Sequence, residues 1–223
     1  MRRHKTEFGR GPIMTSPPNF PAAGYADPAD YLTAYAEMTA AGWRSVDRAA
    51  VRRASEMLLR AYHDGRQVFV CGNGGSAAIA DHLECDHLKG VHNGTDLSPQ
   101  VRSLAANVAL LTAIANDFAY DEVFAFPLAR LSREGDALLT ISASGNSPNI
   151  IKAIECAQAR GLTSIAMTGF DGGRARQLAQ ISLHVEIANY GVVEDIHQGL
   201  MHVLSQFIRQ SRIDPGRVGT LRF

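Results

Sequence analysis

Residues 67–76 read Gln-Val-Phe-Val-Cys-Gly-Asn-Gly-Gly-Ser, a short apolar run that passes directly into a glycine-rich loop. Such a run, bounded by turn residues, is typical of a strand buried on both faces of a parallel sheet. The arrangement recurs at 136–147, where Asp-Ala-Leu-Leu-Thr-Ile precedes the serine-rich loop Ser-Ala-Ser-Gly-Asn-Ser. A helical pattern begins after each loop, at Ser76 and at Pro148. The sequence therefore predicts two strand–loop–helix units.

The two loops together indicate a site for a phosphorylated ligand. The first N–H groups of a helix lack partners within it and the helix dipole is positive there, so anions bind well at this end. Parallel sheets bind ligands at the carboxyl ends of their strands, where both loops fall. The loops also offer hydroxyl groups, those of Ser76, Ser142, Ser144 and Ser147. One loop alone could be a simple tight turn, but two in one small chain favour a phosphate site.

The rest of the chain alternates helices and strands, which predicts an α/β fold whose parallel sheet is covered by helices on both faces. Further strands are predicted at 101–105, 162–168 and 181–187, and helices from 28, at 45–63, 76–89, 107–115, 121–133, 148–160 and 193–210. The first residues are rich in proline and glycine. We therefore divide the chain into a flexible or loosely docked arm (1–27), one domain (28–212) and an irregular tail (213–223).

Composition narrows the classes of function. The 223 residues contain 22 Lys+Arg and 22 Asp+Glu, so the neutral balance gives no indication of a nucleic acid or an acidic membrane as partner. An odd number of cysteines, Cys71, Cys85 and Cys156, favours reduced thiols. No apolar stretch follows the basic residues near Met1, so no secretory signal or membrane span is expected. We predict a soluble, cytoplasmic protein.

A nucleotide site is the first alternative for the glycine loop, because residues 72–77 fit the loose dinucleotide pattern G-x-G-x-x-A. That pattern requires an acidic residue at the end of the next strand, to bind a ribose hydroxyl. The predicted strand ends instead in Ser103-Leu-Ala-Ala106. Neither loop contains the Gly-Lys pair of a Walker motif. The sequence therefore disfavours a nucleotide.

Two helices carry residues suited to proton transfer. His82 and Asp86 are four residues apart and share one helix face. The last helix offers Glu194, His197, Gln198 and His202. A surface ion pair would also explain His82 and Asp86, and a buried core histidine would explain His202, which stands among apolar residues. We interpret His87 and His197 as surface residues or as supports of the site.

Several motifs in order resemble the sugar isomerase (SIS) domain family, and within it the phosphoheptose isomerases. They are Val70-Cys-Gly-Asn-Gly-Gly-Ser76, Ala115-Asn-Asp117, Ile141-Ser-Ala-Ser-Gly-Asn-Ser147 and Thr168-Gly-Phe-Asp-Gly-Gly173. The resemblance implies a single SIS domain with a flavodoxin-like parallel sheet, N-terminal helices and a long C-terminal helix. It also implies a homotetramer with active sites between subunits. The implied substrate site consists of Asn73, Gly74, Gly75, Ser76, Asn116, Asp117, Ser142, Ala143, Ser144, Ser147 and Glu194.

The same resemblance assigns roles in catalysis. Asp86 would be the base and His202 the acid of an aldose–ketose isomerisation, and zinc, one ion per site, would be held by His82, Asp86, Glu194 and His202. Three positions depart from the family pattern. Asp86 stands where the family has Glu, Glu194 where it has Gln, and Lys89-Gly90 where it has Gly-Arg. A carboxylate one methylene shorter is displaced by about 1 Å, which can cost ~10²-fold in rate.

The leading hypothesis is an isomerase that converts sedoheptulose 7-phosphate to a D-glycero-heptose 7-phosphate through an enediol. An isomerase of another long-chain ketose phosphate, such as an octulose phosphate, is an alternative. A non-catalytic sugar-phosphate regulator or a replication-initiation adaptor of the same family is another, against which the presence of His82 and His202 argues. Aminosugar-phosphate enzymes often carry additional domains, for which this chain has no room.

Overall fold

The computed structural model describes residues 17–223, and in them five parallel strands form one sheet. The strands are β1 (Gln67–Gly72), β2 (Gln100–Ser103), β3 (Ala137–Ser142), β4 (Thr163–Thr168) and β5 (Ile181–His184), in the order β2-β1-β3-β4-β5. From β1 the chain passes to β2 on one side and then to β3 on the other. The crevice between the carboxyl ends of β1 and β3 is therefore the place where such a sheet binds its ligand.

Helices connect the strands and cover both faces of the sheet. They are α1 (Pro28–Ser45), α2 (Arg48–His63), α3 (Gly75–Cys85), α4 (Val108–Asp117), α5 (Ala125–Leu131), α6 (Pro148–Ala159), α7 (Gly173–Leu178), α8 (Tyr190–Gln210) and α9 (Pro215–Val218). A π-helical turn, Asp86–Val91, continues α3, and a 3₁₀ turn, Tyr120–Glu122, precedes α5. The single parallel sheet with N-terminal helices and a long last helix confirms the predicted fold class.

Alternate side chains of the central strands enter two separate cores. Val68 and Val70 of β1 belong to a core with α1, α2, α3 and α8, while Phe69 packs into a second core with α5 and α6. Leu139 and Leu138 of β3 divide in the same way, and all five residues are at most 1% exposed. Burying an apolar side chain of this size stabilises the folded state by about 1.5–3 kcal/mol. Burial on both faces therefore explains why consecutive residues of these strands are apolar.

The part of the predicted arm that the structure describes is docked on α1. Phe20 is buried, and its ring packs against the rings of Tyr31 and Tyr35 on α1. Its carbonyl oxygen accepts a hydrogen bond of 2.8 Å from the side chain of Asn189, just before α8. Residues near 20 are thus held in place by an aromatic cluster that the proline-rich composition concealed. Residues 1–16 of the arm lie outside the described part, and the division into domains stays a prediction.

Several elements also differ from the sequence pattern: the strand predicted at 181–187 ends at His184, the last helix begins at Tyr190, and α7 was not predicted. The helix predicted at 76–89 ends at Cys85 and continues as the π-helical turn. The helix predicted at 121–133 is a 3₁₀ turn followed by α5. In the predicted irregular tail, Asp214 caps the short helix α9 by accepting a hydrogen bond from the N–H of Gly216. Among residues 17–223, no helix combines the length and the apolar character needed to cross a bilayer.

Candidate active site

A small cavity of about 160 Å³ lies where β1 and β3 end, between the two predicted loops and α8. Seven residues of the predicted substrate site line it, Asn73, Ser76, Ser142, Ala143, Ser144, Ser147 and Glu194, together with Ile141 and Tyr190. Cavities of about 540 and 710 Å³ lie at the amino ends of the strands, against Gln67, Ala137 and Asp136. The smaller cavity is the candidate site because ligands of parallel sheets bind at the carboxyl ends, where the hydroxyl groups are.

The glycines of the first loop are required by its backbone. Gly74 adopts φ 56° and ψ −123° at the position that caps α3, a conformation that essentially only glycine adopts. A Cβ at Gly72 would lie 2.5 Å from the carbonyl oxygen of Ser76, so no side chain fits there. The loop can therefore turn from β1 into α3 within a few residues, which leaves the start of α3 facing the cavity.

An asparagine pair joins the glycine loop to the start of α6. The side-chain amide of Asn73 donates to Asn149 over 2.9 Å, and that of Asn149 donates back to Asn73 over 2.8 Å. The hydroxyl group of Tyr120 also donates to Asn73, over 3.1 Å. Asn149 is only 1% exposed, and sequence reasoning missed it. A polar residue on the otherwise apolar buried face of α6 was the signal that could have identified it.

A second group of polar residues lies where α3 meets α8. Nε2 of His82 is 3.4 Å from one carboxylate oxygen of Asp86, and Nε2 of His202 is 3.6 Å from the other. The two imidazole rings are perpendicular to within about 12°, with centroids 5.1 Å apart. The structure therefore brings together three of the four predicted metal ligands, including both predicted catalytic residues.

Gln198 bridges the two histidines. Its amide nitrogen lies 2.9 Å from Nδ1 of His82 and 3.2 Å from Nε2 of His202. An amide group carries two N–H bonds, so it can donate to both rings at once while the two contacted nitrogens carry no proton. Nε2 of His202 accepts this bond only in the state in which it has no proton to donate. Sequence reasoning noticed Gln198 as a polar residue of the last helix but gave it no role.

The donor atoms of His82, Asp86 and His202 fit a metal ion. They lie within 4.8 Å of one another. Imidazole nitrogen and carboxylate oxygen are zinc ligands, and ligands ~2.1 Å from one tetrahedral ion are ~3.4 Å apart, close to the two distances observed. Three protein ligands also leave a fourth position for water or substrate. These three residues form a possible metal-ligand group.

Glu194 does not belong to this group, although the family resemblance placed it among the ligands. Its carboxylate lies in the cavity between the two loops, where a Cβ at Gly75 would come within 2.6 Å of an oxygen of Glu194. Burial raises the pKa of Glu194 above its ordinary value of 4.5, and the neighbouring charge of Asp195 raises it further. Glu194 therefore puts a carboxyl group, where the family resemblance implies a neutral amide, beside the hydroxyl groups of the predicted phosphate site.

We expect Glu194→Gln to bind inorganic phosphate several-fold more tightly than the wild type, since it removes an anion that repels the ligand. The difference should grow as pH rises through the raised pKa of Glu194, because the wild-type carboxyl ionises there. For the same reason wild-type stability should fall over that pH range relative to the variant. Calorimetric titration with phosphate at several pH values measures the effect, and Glu186→Gln, at an exposed glutamate, is the control. Equal affinities at every pH would contradict it.

The predicted Asn116 and Asp117 lie apart from both clusters. They end α4 at exposed positions, and the Asn116 amide donates to the Asp117 carboxylate over 2.8 Å. Among residues 17–223 the structure gives them no contact with the cavity or with the histidines. Their role in binding substrate stays a prediction.

For two other histidines the structure excludes a surface position, one of the two predicted alternatives. His87 and His197 are completely buried. Burial lowers the pKa of His87 to about 3 and that of His197 to about 4. Nδ1 of His87 lies 2.5 Å from the hydroxyl group of Tyr62, on α2. Both rings are therefore neutral at physiological pH and belong to the packed interior. A histidine's polarity alone does not reveal on which face of a helix it packs.

Comparison with known proteins agrees with the fold. Residues 31–169 match the SIS domain family. The phosphoheptose isomerase of Mycobacterium bovis is 38% identical over 167 residues, which cover 74% of this chain and 84% of that protein. The structure of phosphoheptose isomerase from Neisseria gonorrhoeae superposes with a TM-score of 0.74 at 30% identity, over 82% of this chain and 96% of that one. The structure of a phosphoheptose isomerase from Francisella tularensis gives 0.75 at 30% identity, with the same coverage.

The chain belongs to the sugar isomerase (SIS) domain family. Its similarity to phosphoheptose isomerases, both in sequence and in structure, confirms the resemblance predicted from the loop motifs.

Proposed function

We propose that the chain is an aldose–ketose isomerase that converts sedoheptulose 7-phosphate to a D-glycero-heptose 7-phosphate. The observation that carries the proposal is the order of side chains along α8. Glu194 lines the phosphate cavity, and His202 belongs to the histidine–aspartate group eight residues later, which is ~12 Å along a helix. A linear sugar phosphate could occupy both places at once, with its phosphate among the serines and its carbonyl end near Asp86. Relatives with the name phosphoheptose isomerase support this substrate class.

In this proposal Asp86 and His202 divide the proton transfers. The Asp86 carboxylate removes the proton from the carbon next to the ketone, and His202 delivers a proton to the carbonyl oxygen, which gives an enediol. Return of the carbon proton to the adjacent carbon and loss of a hydroxyl proton complete the aldose. Each positioned acid or base typically contributes ~10²- to 10⁴-fold. The 3.6 Å between Asp86 and His202 supports their action on neighbouring atoms of one substrate.

We include a divalent metal ion, zinc by the nature of the donors, held by His82, Asp86 and His202. A ring nitrogen bound to the ion would have no proton to donate, so with the ion bound its positive charge, in place of proton donation by His202, would stabilise the enediolate. The chain's own residues still have to fix the geometry. His82 on α3, Asp86 at the start of the π-helical turn and His202 on α8 supply the three ligands, and Gln198 contacts both imidazole rings. Glu194 is left out of this proposed ligand set.

A homotetramer with active sites between subunits is part of the proposal. Helix α4 supports it. Val108 and Leu110 on this helix are 66% and 39% exposed, and Phe118, just beyond the helix, is 62% exposed. Ile114 is the one buried residue of the helix. An apolar helix in water favours contact with another subunit. Such a contact would also bring the exposed Asn116 and Asp117 to a neighbouring chain's site.

The three cysteines are free, which supports the cytoplasmic location that is also part of the proposal.

The test is incubation of purified, metal-analysed protein with sedoheptulose 7-phosphate in D₂O, followed by proton NMR. We expect an aldoheptose 7-phosphate labelled with deuterium at C2, since the proton on a carboxylate base exchanges with solvent. Aldose without deuterium would contradict an exchanging Asp86 and favour a shielded proton or a metal-assisted hydride shift. No turnover, with or without added zinc, would overturn this substrate in favour of a longer ketose phosphate or a non-catalytic binding protein.

A further inference from the structure

Tyr190 lines the phosphate cavity although no sequence motif pointed to it. It is the first residue of α8, directly after the capping Asn189, and it is 60% exposed. Its hydroxyl group makes no hydrogen bond to any group among residues 17–223. An exposed aromatic ring with an unused hydroxyl at the mouth of a polar cavity is available to a ligand.

The ring of Tyr190 is supported from behind by Phe170. The two ring centroids are 4.7 Å apart, with the planes tilted by 53°. Phe170 has φ 51°, and it is the one non-glycine residue among 17–223 with positive φ. This left-handed conformation is unfavourable for a bulky side chain, and such strain persists only where the surroundings impose it.

Neighbouring hydrogen bonds hold Phe170 in this conformation. Its own N–H donates to the carbonyl of Ile187 over 2.9 Å, and the N–H of Gly169 donates to the carbonyl of Ala143 over 2.8 Å. Ala143 belongs to the serine loop, so the loop that carries Phe170 is attached directly to the phosphate-binding backbone. The strained residue, the supported ring and the cavity therefore form one continuous structure.

The cavity also lacks a cation. Its lining contains no lysine and no arginine among the described residues, and it contains the carboxyl group of Glu194. A phosphate ester in this cavity depends on hydroxyl groups and helix N-termini for its hydrogen bonds. One more O–H donor at the mouth of the cavity would therefore matter more here than beside an arginine.

We propose that Tyr190 contacts the substrate, its hydroxyl group donating to a phosphate oxygen and its ring forming the outer wall of the cavity. Phe170 is its positioning residue, which keeps the ring over the serines. Only the identity of the sugar rests on the function proposed above; binding of the phosphate group does not. Tyr190 stands eight residues, ~12 Å along a helix, before Gln198. It therefore serves binding and not proton transfer.

Four variants test the proposal: Tyr190→Phe, Tyr190→Ala, Phe170→Gly and the double variant Tyr190→Ala/Phe170→Gly. Glycine tolerates the positive φ at 170, so the backbone is retained. Calorimetry with inorganic phosphate measures affinity, and turnover of sedoheptulose 7-phosphate measures kcat and KM. We expect Tyr190→Phe to weaken phosphate binding and raise KM about tenfold, as for loss of a hydrogen bond to a charged group. Tyr190→Ala should lose more, with kcat within about twofold of wild type.

The double variant decides whether Phe170 acts through Tyr190. If it does, Phe170→Gly weakens binding alone but adds nothing to Tyr190→Ala, a coupling that independent sites do not show. Additive losses would overturn the positioning role.

The control is Phe223→Ala, at an exposed aromatic residue that packs against Arg209, and it should bind phosphate as the wild type does. Unchanged phosphate affinity in Tyr190→Phe and Tyr190→Ala, or a loss in kcat alone, would overturn the contact. If the wild type does not turn over this sugar, the phosphate titrations still give the answer.

Discussion

Replacement of His202 by glutamine is expected to lower kcat for sedoheptulose 7-phosphate by ~10²- to 10⁴-fold, the usual contribution of a positioned acid. Each tenfold corresponds to about 1.4 kcal/mol in the activation free energy. The imidazole of His202 faces one carboxylate oxygen of Asp86 across 3.6 Å, and glutamine cannot donate a proton to the carbonyl oxygen. KM should change little, because the proposed phosphate site at Glu194 and the loop serines lies about two turns of α8 from His202.

The control for this prediction is His63→Gln, at a histidine whose side chain is 75% exposed and which lies beside Asp64. It should keep wild-type kcat and KM. Zinc affinity should be measured on both proteins, since His202 is also a proposed ligand. A His202→Gln enzyme with full kcat would exclude the assigned acid, even if its affinity for zinc had fallen.

The sequence predicted the sheet well because burial leaves a simple pattern. Strands covered on both faces are continuous apolar runs, and β1, β3 and β4 were all placed within one residue or two of their observed limits. The turn from β1 into α3 was also predictable, because glycine in the sequence marks a position such as Gly74, where the backbone adopts a positive φ. Helix ends were harder. The π-helical turn at Asp86 differs from an α-helix by a single hydrogen-bond step, which no residue type in the sequence requires.

The site was predicted only as far as individual residue types permit. Serines after a strand, and His82 with Asp86 on one helix face, indicated chemistry by their spacing alone. Asn149, Gln198 and Tyr190 act through partners on other elements, so their roles depend on packing. Glu194 is an example in which spacing along the sequence suggested the wrong partner. Its spacing to His202 suggested a shared metal, whereas two turns of α8 separate the phosphate cavity from the histidines.

Phe20 illustrates a further physical reason why part of the structure could not be predicted from the sequence. Proline-rich composition indicates a segment that cannot form a core of its own, but it does not exclude docking of one aromatic side chain. The rings of Tyr31 and Tyr35 provide the surface on which Phe20 packs. Contacts between residues far apart in the chain are the part of a structure that local patterns do not contain.

Asp86→Asn should abolish the proposed base and lower kcat by ~10²- to 10⁴-fold while phosphate affinity stays at its wild-type value. Asparagine keeps the size of the side chain but cannot accept the carbon proton, and its neutral oxygen is a weaker metal ligand than a carboxylate. Exchange of the substrate's C1 protons into D₂O should be lost together with turnover. Asp81→Asn, at an exposed aspartate on α3, is the matched control and should behave as wild type.

Asp86→Glu separates charge from geometry at the same position. It restores the family's residue and keeps a carboxylate, but adds one methylene between the backbone and the charge. A displacement near 1 Å can cost ~10²-fold, so we expect a kcat between those of wild type and Asp86→Asn. If Asp86 acts as the base, proton exchange persists in the glutamate variant and is absent in the asparagine variant. Equal exchange in both variants would show that the carbon proton is removed by another group. The π-helical turn that begins at Asp86 would then have to be explained by metal binding or packing alone.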